Sequence, residues 1–218
     1  MTQDHALDAT TLCSQEFWDA KYDSTPAVWS GKPNPHLVER LVDVAPGNAL
    51  DVGCGEGADA IWLASRGWNV TGLDVSPVAL TRAAARAAEA GAEIADRTSW
   101  KQTDLRTWES PSHRFDFVSA HFIHVPASDR QTLHRRLAAA VRPGGRLLIV
   151  GHHPSDLQTS VGRFDFPDLL FTADQIAAAL DPDDWEILVC AEPTREALNP
   201  EGKSVTIRDS VLYGVRRG

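Results

Sequence analysis

Cysteine, methionine and basic residues are all scarce in this sequence of 218 residues. There are three cysteines and one methionine. Cys13, Cys54 and Cys190 are odd in number and widely separated, and none belongs to a CxxC or Cys/His pair with the spacing of a zinc site. This cysteine usage predicts a reducing, cytoplasmic compartment.

The shortage of basic residues and of long apolar runs excludes further classes of partner. Lysine and arginine number 21 against 30 acidic residues, a net charge of −9, whereas proteins that bind phosphate backbones usually carry the opposite balance. No stretch approaches the ~20 apolar residues of a membrane helix. Residues 1–15 lack the basic and apolar regions of a signal peptide. We therefore expect neither nucleic acid nor a membrane as partner.

The rest of the composition is that of a globular domain. Hydrophobic residues make up 43% and charged residues 23% of the chain, both near the average for such domains. No repeat or low-complexity linker divides the sequence, so we predict a single domain over residues 1–218. Residues 1 to about 14 are polar, and we expect them to be mobile.

From residue 46 onwards, strand and helix patterns alternate. Predicted strands cover residues 49–52, 69–73, 98–103, 115–120, 146–150, 185–191 and 204–215. Predicted helices cover residues 58–66, 77–90, 128–141 and 176–180, and a further helix at residues 36–44 precedes the alternation. The alternation predicts an α/β fold: a doubly wound, Rossmann-like, mostly parallel seven-stranded sheet with an antiparallel hairpin at its C-terminal edge.

Turn and cap signals set the boundaries of several of these elements. Ser76-Pro77 opens a helix, and Ser128 with Gln131, like Thr172 with Gln175, has the spacing of a capping box. Residues 142–145, Arg-Pro-Gly-Gly, predict a tight turn, and residues 192–203 predict a polar loop.

A glycine-rich loop is the most informative segment. Residues 49–57, ALDVGCGEG, run from a strand through glycines into a helix, where the backbone can approach a ligand and the helix offers free N–H groups. Gly53, Gly55 and Ala58 also fit the loose dinucleotide fingerprint, so this loop alone leaves the nucleotide open.

Two carboxylates narrow the choice of ligand. Asp74 ends the second strand, where it can accept hydrogen bonds from ribose hydroxyls, and Asp104 follows the third strand, where it can accept from an adenine amino group. A dinucleotide enzyme would normally add a second mononucleotide-binding half or a substrate domain. The chain has little room for either, so a single adenosine fits its length better.

These motifs, in this order, resemble those of the class I S-adenosylmethionine-dependent methyltransferases. The resemblance covers about residues 30–218 and rests on the glycine loop, Asp74, residues 103–105, the strand at 115–121 and the Arg-Pro-Gly-Gly segment. The lead-in around Trp18, Tyr22 and Trp29 is similar to the small-molecule branch that includes thiopurine and tellurite-resistance methyltransferases.

The resemblance implies S-adenosyl-L-methionine as cofactor and assigns residues to it. About residues 1–45 would form a lid over the cofactor, and about 46–218 its binding core. The implied cofactor residues are Asp51, Gly53, Cys54 and Gly55 for the methionine part, Asp74 for the ribose, Val75 and Leu105 around the adenine, Asp104 for its amino group, Trp29 as a cover, and His121 at the border.

Histidines follow the strands at the expected acceptor end. His121 and His124 follow the fourth predicted strand, while His152 and His153 follow the fifth. Ligands of such sheets lie beyond the carboxyl ends of the strands. A hydroxyl acceptor needs a base, for which histidine is suited, whereas a thiol, selenol or tellurium oxyanion needs less help.

We therefore predict His121, His124 and His152 as candidate catalytic residues; ordinary hydrogen-bonded loop histidines are the alternative. We predict no metal site. Cys54 is expected to fill space beneath the loop rather than to react.

The sequence thus predicts a methyltransferase that acts on a small-molecule acceptor by in-line transfer, as a monomer or homodimer. The alternatives are a protein or other macromolecule as acceptor, a non-catalytic module that binds S-adenosylmethionine, and a nicotinamide-dependent oxidoreductase. Nicotinamide binding without S-adenosylmethionine binding would select the last of these.

Overall fold

A central β-sheet organises the structure, a computed structural model that describes residues 9–163 and 166–218. Within these residues the strands are β1 (Asn48–Val52), β2 (Asn69–Asp74), β3 (Thr98–Gln102), β4 (Phe115–His121), β5 (Val141–His152), β6 (Trp185–Ala191), β7 (Thr194–Leu198) and β8 (Ser204–Arg216). Their order is β3-β2-β1-β4-β5-β8-β6, and β7 pairs with β8. Strands β1 to β5 are parallel, and β8 is antiparallel to each strand it pairs with.

The helices of the described residues precede and connect these strands. They are α1 (Gln15–Asp23), α2 (Pro35–Leu41), α3 (Ala58–Ser65), α4 (Pro77–Ala90), α5 (Ala92–Asp96), α6 (Ala127–Ala140) and α7 (Ala173–Ala177). Short 3₁₀ turns lie at Thr11–Cys13, Pro154–Gln158 and Pro167–Leu169. None of these helices has the length and hydropathy needed to cross a membrane.

Both faces of the central strands are buried, as successive residues of β5 show. Leu147 packs on the face that α6 and α7 cover, while Leu148 packs on the face covered by α2 and α3. Side chains alternate along a strand, so an unbroken apolar strand such as β5 needs a layer of helices on each side. The predicted doubly wound α/β fold with antiparallel C-terminal strands is confirmed.

Two of the predicted helix starts are confirmed and one is wrong. The Ser76 side chain caps α4, and Thr172 and Gln175 form a reciprocal capping box before α7. By contrast, α6 begins at Ala127 after Pro126, without a side-chain cap, so Ser128 lies inside the first turn. Proline supplies the extended backbone of that entry, which leaves the serine no capping role.

The predicted tight turn at residues 142–145 belongs to β5 instead. Pairing passes from Phe115–Val141 directly to Phe117–Arg146, so these four residues bulge out of the ladder. Pro143 has no N–H to offer a partner strand, and Gly144 adopts a positive φ of 75°, which together favour a bulge over regular pairing.

The predicted polar loop at residues 192–203 contains the additional strand β7. It pairs with the first half of β8, from Thr194–Arg208 to Leu198–Ser204. Glu196 accepts hydrogen bonds from the Ser204 and Thr206 hydroxyls across this pair. The strand is held by cross-strand polar contacts and has no apolar face, which is why the hydrophobic pattern did not indicate it.

The prediction of a mobile beginning is wrong where the structure describes it. Residues 1–8 lie outside the described residues, but Leu12 and Cys13 are buried. The Cys13 thiol donates to the His124 carbonyl, and the Trp18 indole donates to the Leu12 carbonyl. The start of the described chain is therefore packed against the core.

Candidate functional site

A cavity of about 830 Å³ lies beyond the carboxyl ends of the parallel strands. Its walls come from the ends of β1, β2, β4 and β5, from β8, and from the N-terminal segment, which we define as residues 9–45. The predicted site residues that line it are Trp29, Asp51, Gly53, Cys54, Gly55, Asp74, Val75, Asp104, Leu105, His121, His124 and His152. His153 is not among its lining residues; its ring contacts Ser155 and Glu192 instead.

The glycine loop brings bare backbone to the cavity. Gly53 and Gly55 have φ angles of 68° and 52°, a region that side-chain-bearing residues rarely adopt. A Cβ at Gly53 would lie 3.0 Å from Ile123, and one at Gly55 would lie 3.0 Å from the Tyr22 hydroxyl. The Cys54 N–H donates to the Leu73 carbonyl at 2.9 Å, which fixes the loop to β2.

Asp51, at the end of β1, presents an unpaired oxygen beside this loop. Its Oδ1 accepts from the Ser119 hydroxyl at 3.0 Å, while its Oδ2 is buried without a partner among the described residues. Burial, together with the nearby Asp59 carboxylate, raises the pKa of Asp51 to about 7. A buried acceptor of this kind is stabilised by a cationic donor, such as an ammonium group.

Asp74 supports the loop from below. Its two oxygens accept from the Gly55 and Ser76 N–H groups, each at 2.9 Å. Burial raises its pKa, and these hydrogen bonds oppose the rise. Each oxygen keeps a further lone pair with which it can accept a ligand hydroxyl.

Asp104 lies nearer to solvent and is held by Arg106. The guanidinium donates to both carboxylate oxygens, with Nε–Oδ1 at 3.0 Å and Nη2–Oδ2 at 2.7 Å. These hydrogen bonds lower the pKa of Asp104. Its carboxylate is therefore an ionised acceptor at the edge of the cavity.

Glu56 joins the loop to the N-terminal segment, a role that the sequence analysis missed. Its buried carboxylate accepts from the Val28 and Trp29 N–H groups, both at 3.2 Å. It also pairs with Arg82 and Arg86 of α4 at 3.2 and 3.1 Å. All of these partners are distant in sequence, so no local pattern could have indicated them.

Aromatic side chains of the N-terminal segment cover the loop. The Trp29 indole donates to the Tyr22 hydroxyl at 3.0 Å, and Trp18 lies 6.2 Å from Trp29 between ring centroids. Trp18 also lies 5.9 Å from the His124 ring. Trp29 is 46% exposed and so forms an outer wall rather than part of the core.

The three candidate histidines have different environments. His121 Nδ1 lies 2.6 Å from Asp59 Oδ2, and its Nε2 is buried without a partner among the described residues. Burial lowers the pKa of His124 to about 4 and that of His152 well below its usual range. His152 stacks on Phe122 with 4.4 Å between ring centroids. His124 and His152 are therefore neutral near pH 7 and weak as bases.

Asp51, Asp59 and His121 also bring potential metal ligands within 4.8 Å of one another. Asp51 Oδ1 accepts from Ser119, whereas both oxygens of Asp59 are engaged, one with the Asn34 N–H and the other with His121 Nδ1. Such a set could hold a divalent ion, and the same acceptor-rich wall also suits an ammonium group. The sequence indicated no metal, and the spacing of these residues gives no metal motif.

The far end of the cavity is polar and includes four residues that the sequence analysis did not single out. Asp209 Oδ2 accepts from Arg195 Nε at 2.7 Å and lies 3.3 Å from His36 Nε2. Its Oδ1 is buried without a partner in the described residues. Arg163, which donates to the buried Asp156, completes this end. Asp209 reaches the site through the pairing of β8 with β5, which the local sequence does not reveal.

Comparison with known proteins finds similarity to methyltransferases. A family model described as a methyltransferase domain matches residues 49–145. Methyltransferase GfsG of Streptomyces halstedii is 38% identical over 138 residues, which are 61% of this chain and 48% of that protein. Probable thiol methyltransferase 2 of Arabidopsis thaliana is 31% identical over 137 residues, 60% of this chain and 59% of that one. The chain spans about half the length of the curated relatives it matches.

A solved structure shares the fold at full length. The magnesium protoporphyrin IX methyltransferase ChlM of Synechocystis PCC 6803, with bound SAM, superimposes with a TM-score of 0.67 and 19% identity. The match covers 99% of this chain and 100% of that one. With the domain match on the glycine loop and the relatives that share it, the resemblance of this chain to the class I S-adenosylmethionine-dependent methyltransferases is confirmed.

Proposed function

We propose that this protein transfers a methyl group from S-adenosyl-L-methionine to a small-molecule acceptor by in-line displacement. One observation carries the proposal: a single cavity joins a bare glycine loop with unpaired Asp51 at one end to a polar pocket around Asp209 at the other. Its volume of about 830 Å³ lies in the range of small-molecule sites. The N-terminal segment covers it, which favours an acceptor small enough to be enclosed.

The residues present fit the cofactor that the family uses. Asp51 Oδ2 is a buried acceptor that suits a cationic donor, and a Cβ on Gly53 or Gly55 would crowd Ile123 or Tyr22 at the loop. The cofactor residues would be Asp51, Gly53, Cys54 and Gly55 for the methionine part, Asp74 for the ribose, Val75 and Leu105 for the adenine, Asp104 for its amino group, and Trp29 and His121 at the borders. When bound, S-adenosylmethionine supplies a methyl group on a positively charged sulfur.

The chain's own residues then align the reactants and exclude water. Alignment alone can contribute roughly 7–11 kcal/mol to the lowering of the barrier. Trp18, Tyr22 and Trp29 form an aromatic wall, and such faces attract a sulfonium cation. His121, through its unpartnered Nε2, is the candidate base for a hydroxyl acceptor. His124 and His152 would act as neutral hydrogen-bonding contacts, since burial makes their rings weak bases.

The names of relatives support a small-molecule acceptor. One is named a probable thiol methyltransferase, and the structural neighbour is a magnesium protoporphyrin IX methyltransferase. We extend the small-molecule class to this chain and take thiols and phenols as the first acceptors to screen. The division into a lid of about residues 1–45 and a core of about 46–218 is part of this proposal, supported by the contacts of Glu56 with Val28 and Trp29.

Calorimetric titration tests the proposal. We expect micromolar binding of S-adenosylmethionine and S-adenosylhomocysteine, and no binding of NADH as the control. Failure of both sulfur ligands to bind would refute the proposed function, whereas binding of NADH alone would select the nicotinamide alternative. Binding of the sulfur ligands, followed by methylation of a thiol or phenol detected by mass spectrometry, would establish an enzyme rather than a binding module.

A further inference from the structure

Asp59 stands between the N-terminal segment and His121. It lies in the first turn of α3, with its side chain largely buried. Its Oδ1 accepts from the Asn34 N–H at 2.6 Å, and its Oδ2 lies 2.6 Å from His121 Nδ1. One carboxylate therefore contacts both the covering segment and the candidate base.

This contact fixes which nitrogen of His121 carries the proton. A carboxylate oxygen can only accept a hydrogen bond, so Nδ1 must be the donor. A neutral imidazole has a single N–H, so Nε2 is left as a bare acceptor. Nε2 is buried, has no partner in the described part of the chain, and belongs to a residue that lines the cavity.

We propose that Asp59 is a positioning residue that holds His121 ready to accept a proton at Nε2. The inference rests on the proposed methyl transfer. As a hydroxyl oxygen bonds to the methyl carbon, its proton passes to His121 Nε2, and the C–S bond breaks with its electron pair remaining on sulfur. The products are a methyl ether, a neutral thioether and an imidazolium ion that the Asp59 carboxylate stabilises. A thiolate acceptor brings no proton and does not need this step.

Two variants separate the two contacts. In Asp59→Asn the amide oxygen can still accept from the Asn34 N–H, but the NH₂ group faces His121 and donates to Nδ1, which selects the opposite tautomer. Glu56→Gln is the matched control: it weakens the hold on Val28 and Trp29 and leaves the Asp59–His121 pair in place.

The readout is the tautomer of His121 in ¹⁵N-histidine-labelled protein, recorded by NMR and assigned by its absence in His121→Gln. We expect Nδ1–H in the wild type and in Glu56→Gln, and Nε2–H in Asp59→Asn. Amide hydrogen exchange should stay slow at Asn34 in Asp59→Asn and rise at least tenfold in Asp59→Ala. A wild-type His121 protonated at Nε2, or a tautomer unchanged in Asp59→Asn, would overturn the proposal.

An activity comparison uses phenol and thiophenol as acceptors with S-adenosylmethionine. Asp59→Asn should lower kcat at least tenfold for phenol and less than threefold for thiophenol, because thiophenol is already ionised. Equal losses with both acceptors would show that Asp59 acts on the fold or the cofactor, and would overturn the positioning role. If the wild type binds no cofactor, the proposed function fails, while the NMR result still decides what Asp59 does to His121.

Discussion

Cofactor affinity is expected to fall as the pH is lowered from 7.0 to 5.5, because Asp51 must be ionised to hold a cation. Burial and the neighbouring Asp59 raise the pKa of Asp51 to about 7 in the free protein. Its Oδ2, beside the glycine loop, has no hydrogen-bond partner within residues 9–163 and 166–218. An ammonium group placed there stabilises the carboxylate, so binding removes a proton from any molecule in which Asp51 is protonated.

The size of the effect follows from the ionised fraction. A group with a pKa of about 7 is about half ionised at pH 7.0 and only ~3% ionised at pH 5.5. The affinity should therefore fall roughly 15-fold, or about 1.6 kcal/mol, over this range. Amino groups titrate above this interval, and the pKa of His124 lies below it at about 4, so neither should produce the change.

The assay is calorimetric titration with S-adenosylhomocysteine at the two pH values, in buffers with different heats of ionisation so that proton release is counted. Asp51→Asn is the control: it should bind weakly and show no such pH dependence. A wild-type affinity that is equal at pH 5.5 and 7.0 would refute the assignment of Asp51 to the cation. A pH dependence that persists in Asp51→Asn would assign it to another group.

The same carboxylate is expected to destabilise the ligand-free fold. Because folding raises the pKa of Asp51, the folded state binds more protons than the unfolded state between about pH 4 and pH 7. Its contribution to the free energy of unfolding therefore becomes less favourable as the pH rises through this interval. Asp51→Asn should raise the melting temperature at pH 8 and have little effect at pH 4, as measured by calorimetry.

Three further substitutions test other parts of the site. Glu56→Gln should lower the free energy of unfolding by about 2 kcal/mol, because it removes the negative charge buried between Arg82 and Arg86. The melting temperature should therefore fall by ~4–8 °C. An unchanged thermal transition would contradict this. Asp74→Ala should weaken S-adenosylmethionine binding at least tenfold in a titration, and an unchanged affinity would mean that the ribose is held elsewhere. His153→Ala should keep kcat within twofold of the wild type, because the His153 ring lies apart from the cavity. A large loss of kcat would show that His153 belongs to the catalytic site.

The local sequence predicted the structure correctly at positions where the backbone or the site allows only one type of residue. The glycines of residues 53–57 were predicted to approach a ligand, and their positive φ angles and close neighbours confirm that only glycine suits those positions. Asp74 was placed at a strand end and lies there. The alternation of strands and helices predicted a mostly parallel sheet covered on both faces, and residues 147–150 of β5 are buried on both sides.

The parts that were missed depend on partners distant in the chain. Ser128 matched a capping motif, but the backbone of Pro126 started the helix earlier. Strand β7 has no apolar face, so it forms only because its backbone pairs with β8. Glu56 and Asp59 lie in a loop and a first helical turn, and their contacts come from the N-terminal segment, α4 and β4, all distant in the chain.

The position of β8 has a consequence for the order of events during synthesis. This strand pairs with β5, β6 and β7, and it is made after all of them. The parallel strands β1 to β5, with the glycine loop, leave the ribosome first, but the cavity still lacks the wall that carries Asp209. A nascent chain can therefore form the glycine loop before it can form the polar end of the cavity, which is completed only when β8 pairs along the open edge of β5.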